Sequence, residues 1–386
     1  MPGRQSYLEV LCAEPFRVFF PLGWLCSLVG VSHWLWYYLG WIDSYSGFYH
    51  GLFQIQGFEL AFAAGFLMTA LPRFLETPGT QPWELVLGVL LILCGAAGLY
   101  LGERPWSLGG LLGTLLFLLV FAGRRFVRRG DNPPPAFVFV VFGLLCGLAG
   151  ALLLLWPAVE YPDLGRRLLE QGLLLGLVMA VGSHLGPRLL YGRREEPVTQ
   201  GPAAARRLGA FGLAGLALVA SFLVETSGAV EAGRLLRAAV VTGYLLAVVG
   251  IYRLPVRRRW HLYLLWLSFW CVPGGLWLAG LFPDHELQAL HLTFVGGFGS
   301  MTLVIATRVI AAHCGFERYW DQNTWPLATL TLCFLLALLT RVTAEFFLDY
   351  YFGMLHMAAG YWLTGAVVWG LVFVPKMMPW HVAADD

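Results

Sequence analysis

His33, His50, His291 and His356 stand in four separate apolar stretches of the chain. Imidazole is the side chain most used to ligate metals and is a common axial ligand of haem iron. An ionisable group inside a membrane span is a functional hypothesis by default. At about 1.5 Å per helical residue, His50 lies roughly 3 Å from the outer end of its stretch, His291 about 6 Å, His356 about 9 Å and His33 about 10 Å. Four helices therefore bring an imidazole into the outer third of a bilayer, and His285 is close enough in sequence to join them. A ligating histidine needs its second ring nitrogen held by a partner, and Gln54, one turn below His50 on the same face, is placed to hold it. Nearer the other side, His184 lies roughly 9 Å from the end of its helix, and His313 sits just beyond the tenth apolar stretch. His261 and His381 read as interfacial. Each histidine also has a plainer reading, as a hydrogen-bonding packing residue between helices.

The run HLTFVGGFGSMTLVIATR, which begins at His291, places Gly296, Gly297, Gly299 and Ser300 below that imidazole. A flat macrocycle ligated from above needs such clearance, and so does close helix packing. Glu59 has no charge of opposite sign within one turn, so it is protonated, paired across helices or part of a proton path. Arg17 and Arg308 lie near the inner ends of their stretches, where each either snorkels to the interface or holds a haem propionate in a bidentate pair. Arg341 and Glu345, four residues apart near the outer surface, predict a plain salt bridge.

The elements that must position these groups are membrane helices. Of 386 residues, 58% are apolar and only 12% charged, with a mean hydropathy of +0.69; soluble domains run near a quarter charged. Apolar runs bounded by charge or proline predict twelve spans, at 16–40, 48–71, 83–101, 106–123, 135–156, 168–190, 206–225, 231–251, 260–280, 287–311, 325–346 and 350–374. A re-entrant hairpin is the alternative for the third and fourth, which are joined by the short connection Gly102 to Pro105. The fold class is thus an all-α, polytopic helical bundle forming a single transmembrane domain over 1–386. Basic connections around Arg124 to Arg129, Arg188 to Arg207 and Arg253 to Arg259 fall on one side with Arg4, Arg17 and Lys376, which predicts cytoplasmic termini and a multi-pass protein of the bacterial inner membrane. No cleaved targeting segment is expected at the start. The seven cysteines are scattered singly and read as small apolar residues. No internal repeat is legible, and no basic stripe suggests nucleic acid as a partner.

Three stretches carry a family resemblance: EPFRVFF from Glu14 to Phe20, the His50 segment leading into GFLMTALP (Gly65 to Pro72), and His291 to Gly315. They resemble the hallmark stretches of the NnrS family, polytopic membrane proteins of the nitric-oxide response described as containing haem and copper. The resemblance implies that Arg17, His50, His291, Arg308 and His313 are motif positions. Leu52 and Phe53 stand where the family pattern carries a second histidine and an acid, and Arg73 and Phe74 replace a polar-aromatic pair. It therefore implies haem b more fully than copper.

On this reading the chain is a haem-binding membrane protein of nitric-oxide or nitrosative-stress metabolism, or of denitrification-linked redox chemistry, with ligands drawn from His50, His291, His356 and His33. Nitric oxide is the expected small ligand, and a haem-dependent oxidoreductase acting on it is one form of the reading. A quinol-linked b-type cytochrome, with a quinol or a redox protein as partner, is a second class. A cofactor-free transporter or scaffold is a third. The adjacent histidine pair of a haem-copper oxidase is absent from the sequence.

Overall fold

A computed structural model describes residues 6–156, 162–193 and 198–381; Arg4 and Arg194 of the basic clusters lie outside them. Among the described residues twelve helices are long and apolar enough to cross a membrane: α1 (Phe16–Tyr38), α2 (Gly47–Phe74), α3 (Pro82–Tyr100), α4 (Arg104–Val127), α5 (Pro135–Leu155), α6 (Asp163–Tyr191), α7 (Gly201–Thr226), α8 (Val230–Val249), α9 (Trp260–Leu281), α10 (Pro283–His313), α11 (Trp325–Phe346) and α12 (Leu348–Met377). No strand occurs among the described residues. Helices satisfy every backbone group internally, which is what an apolar bilayer demands. Proline opens several of them, at Pro82, Pro105, Pro202 and Pro326, where its missing N–H costs no helical bond.

The third and fourth apolar stretches are two full spans, α3 and α4, rather than a re-entrant hairpin. The spans α6, α7 and α10 begin four or five residues before the apolar runs do. Charge ends a hydropathy run, yet α6 and α10 continue through charges that find partners inside the bundle, and α7 carries exposed Arg206 and Arg207 in its first turns. Both termini lie on one side: Arg17 of α1 donates through Nη1 to the carbonyls of Met377, Met378 and His381, the last at 2.8 Å.

A threefold internal repeat, which the sequence did not reveal, organises the bundle. Within each set of four spans the first two pack together and the last two pack together. The sets then join α4 to α5, α8 to α9 and α12 to α1, closing a ring. Each set opens with the same small-residue pattern, Gly23/Cys26/Gly30 in α1, Gly143/Cys146/Gly150 in α5 and Ser268/Cys271/Gly275 in α9. The cysteine packs against a glycine of the next span: Cys26 on Gly57, Cys146 on Gly172 and Cys271 on Gly296. A Cβ added to these glycines would stand 2.7 Å from Cys26 Cβ, 2.8 Å from Cys146 Cβ and 2.9 Å from Cys271 Sγ. Every one of the three glycines lies in a π-helical stretch, Phe53–Glu59, Leu168–Leu173 or Leu292–Gly299. Such bulges are rare and gather at functional sites. The repeat was hidden because its members share only a few small residues and differ in everything that gives a sequence its character.

This packing predicts that Gly57→Leu and Gly172→Leu each destabilise the protein by about 1–3 kcal/mol, as overpacking does. Gly109→Leu, whose site is open, should leave stability unchanged. Unfolding temperatures of the purified proteins in one detergent check the contrast.

Candidate functional site

The helices α2, α6 and α10, one from each set, surround the repeat axis and enclose a cavity of about 650 Å³ on the side away from the termini. Small-molecule and cofactor sites occupy roughly 300–1,000 Å³. His50 and His291 both line it, as do Gln54, Glu59, Glu170 and Arg341. The His50 Nδ1 lies 3.0 Å from the carbonyl of Gly30, and the His291 Nδ1 lies 2.7 Å from the carbonyl of Leu287. A carbonyl only accepts, so in each ring Nδ1 carries the proton and Nε2 keeps its lone pair. That is the tautomer in which a histidine ligates through Nε2.

The partner of His50 is therefore the Gly30 backbone and not Gln54, whose Nε2 donates 3.3 Å to the Ser27 carbonyl. Two small residues of α1 let α2 approach closely enough for its side chains to reach the α1 backbone. Gly296 and Gly297 do not clear a ligand space. They pack on Cys271 and Leu338 and on Val272, while Gly299 lines the cavity and meets Trp362. Close packing explains the first two.

The other predicted histidines are not brought to the cavity wall. His33 Nε2 accepts the Ser46 N–H at 3.0 Å, so its lone pair holds the turn that enters α2. His356 stacks on Tyr38 with ring centroids 4.0 Å apart. His184 packs edge-on against Phe74 and Phe137. His313 bonds Glu14 through Nδ1 at 2.6 Å and faces Arg73 through Nε2 at 3.4 Å. Arg17, besides the carbonyls at the end of α12, binds Glu14. Arg308 pairs with Glu317 at 2.9 Å, and its position 17 residues on from His291 puts it about 25 Å along the helix. Arg17, Arg308 and His313 thus serve the terminus side of the bundle, far from His50 and His291. Among the described residues no three His, Cys, Asp or Glu side chains form a group that could hold a metal ion.

The charge network around Glu225 was not foreseen from the sequence. Arg166 pairs with Glu170 at 2.7 Å, and Arg167 reaches Glu225 at 3.2 Å and Glu286 at 3.8 Å. Behind them Arg237, 2% exposed, binds Glu225 at 2.5 Å and donates to Gln171 Oε1 at 2.6 Å, while Arg234 bridges Glu225 and Glu286. The legible signal was the acid Glu225 inside an apolar run, followed by two arginines three residues apart on the next helix. Glu345 does not pair with Arg341: α-helix gives way to a 3₁₀ turn at Ala344–Phe346, breaking the four-residue register, and Glu345 takes His285 Nδ1 at 2.8 Å instead.

Glu59 accepts from Thr302 Oγ1 at 2.7 Å, so its partner is a hydroxyl on another helix and not an arginine. It borders both the large cavity and a second of about 80 Å³ lined by Phe20, Phe66, Val178 and Met301. The carboxyl stands between the two spaces, where it can hand a proton from one to the other.

At the terminus side, burial works to raise the pKa of Glu14, but the hydrogen bonds and charges of His313 and Arg17 outweigh it and hold the carboxyl below its ordinary value near 4.5. A lowered acid contributes stability above its unfolded pKa and loses it as pH falls through the folded value. Glu14→Gln should therefore lower the unfolding temperature at pH 7, and the difference from the parent protein should shrink progressively as pH falls through the lowered folded value of the carboxyl. Unfolding curves of both proteins from pH 3 to 8 check this.

No curated protein matches the chain. The sequence model of the family described as NnrS protein matches residues 10–379, a stretch that takes in all twelve spans and both cavity histidines, and the chain accordingly belongs to the NnrS family, multi-pass membrane proteins of the nitric-oxide response.

Proposed function

We propose that this chain binds a haem b in the large cavity through His50 and His291, and acts in the nitric-oxide response through that site. The observation that carries the reading is the pair of imidazoles sharing one cavity, each with Nδ1–H committed to a backbone carbonyl and Nε2 left with its lone pair. Neither ring depends on a titratable side chain for its orientation. Bound there, a haem supplies a redox-active iron that takes up nitric oxide in its ferrous state when a coordination position is open.

The chain's own residues supply the rest. Trp34, Phe58, Phe294, Phe298 and Trp362 make part of the wall apolar, and a small uncharged gas can reach that part from the lipid. Glu59, held by Thr302, can keep or pass a proton at the deep end of the cavity. Connections between spans are short, so an electron donor docks on them or arrives as a quinol through the bilayer. Cytoplasmic termini in a bacterial inner membrane follow from the arginine bias.

A second reading is favoured by the same pair: if both rings ligate one iron, no position is left for a gas and the site transfers electrons. The optical spectrum of the purified protein, oxidised and dithionite-reduced, with and without nitric oxide, separates the two. A Soret band that shifts with nitric oxide is expected for gas binding, and an unshifted band for electron transfer. His50→Ala and His291→Ala should each lose most of the Soret absorbance, whereas His356→Ala and His33→Ala should keep it. A parent protein without haem from haem-replete cells, or haem retained in both cavity variants, would overturn the proposal.

A further inference from the structure

Arg341 closes α11 at the cavity and is 8% exposed, and its Nη1 has no hydrogen-bond partner. The other guanidinium groups lining that cavity are matched by carboxylates, Arg166 by Glu170 and Arg167 by Glu225 and Glu286. The acidic groups within Coulombic range of Arg341 are Tyr351, Tyr45 and Glu345. Burial pushes the Tyr45 phenol up, so it brings no negative charge, Tyr351 is likewise a phenol and not a carboxylate, and Glu345, the one carboxylate in range, binds His285 and makes no contact with Arg341. A buried cation with no carboxylate in contact is unfavourable. Arginine cannot relieve this by losing its proton. The remaining way is an anion from outside the chain.

We propose that Arg341 is the receptor for a planar two-oxygen anion in the cavity. A guanidinium fork matches a carboxylate or a nitrite-like oxyanion through two parallel hydrogen bonds. The anion has two sources of the same chemistry. One is a carboxylate carried by a macrocycle that His50 and His291 ligate, and this form rests on the haem reading above. The other is a free oxyanion beside the same imidazoles, which stands without it.

The test uses the full chain purified in an uncharged detergent, as parent protein, Arg341→Gln and Arg341→Lys. Each is prepared from haem-replete and haem-depleted cells, and unfolding temperature is followed against sodium nitrite at constant ionic strength. In the haem-free proteins without nitrite, Arg341→Gln should be at least as stable as the parent, because it removes an unpaired buried charge; a purely structural arginine would give the opposite order. With a macrocycle carboxylate as source, Arg341→Gln retains at least about threefold less haem per polypeptide, Arg341→Lys retains more than Arg341→Gln, and nitrite does not stabilise the loaded parent. With a free oxyanion as source, haem content is equal in all three, nitrite raises the unfolding temperature of the parent, Arg341→Lys needs more of it, and Arg341→Gln does not respond. If the parent carries no haem at all, the haem reading fails and the nitrite titration alone decides this one. Should Arg341→Gln not accumulate, Arg341→Lys carries the test through its weaker haem retention or its shifted titration. Haem content and nitrite response that are the same in the parent and the variants would overturn the proposal, as would a haem-free Arg341→Gln less stable than the parent.

Discussion

The close approach of a cysteine to a glycine, made three times, sets the architecture. Inside a bilayer, apolar surface gains little by leaving lipid for protein, so helices associate where small residues let their backbones meet. Cys26 on Gly57, Cys146 on Gly172 and Cys271 on Gly296 draw α2, α6 and α10 onto their preceding spans at equivalent heights. The ring of twelve helices then turns these three spans inward around a common axis. Three π-helical stretches fall at the same contacts, and next to them in α2 and α10 stand the two histidines that reach the cavity. Position, more than any chemistry of the cysteines themselves, is what this contact provides.

Electrostatics acts on that frame at one end. The second set of spans contributes Arg166, Arg167, Glu170, Gln171, Glu225, Arg234 and Arg237, and the third contributes Glu286. These charges lie in helices otherwise built for lipid, where an unpaired ion is costly. Their pairing therefore ties the second set to the third, and it lets α6 and α10 begin earlier than hydropathy indicates. The first set brings little charge to this region. It brings instead the imidazole of His50, fixed by the backbone of Gly30, and the carboxyl of Glu59.

The terminus side is built from different parts. Glu14, Arg17, Arg73 and His313 bind one another and the carbonyls that follow α12, so the motif residues there hold the first, tenth and twelfth spans together. The one stretch from His291 to Gly315 thus does different work at its two ends: His291 faces the cavity, while His313 serves the seam and Arg308 pairs with Glu317 beside it.

Twelve spans and the all-α class were legible in the sequence, because span length and the scarcity of charge follow directly from bilayer thickness and the cost of burying ions. The stretch around His291 was legible as the most informative, and the family as a resemblance. Which histidines meet was not. Depth along a helix can be counted, but the face a side chain presents depends on rotation, and each π turn shifts that rotation in a way periodicity does not announce. Hence His33 and His356, at the right depth, stay off the cavity, and Gln54 yields His50 to Gly30. The threefold repeat and the match of Glu345 with His285 were likewise decided by tertiary structure. Both rest on which backbones come close enough to touch, a property of pairs of helices that no single stretch of sequence contains.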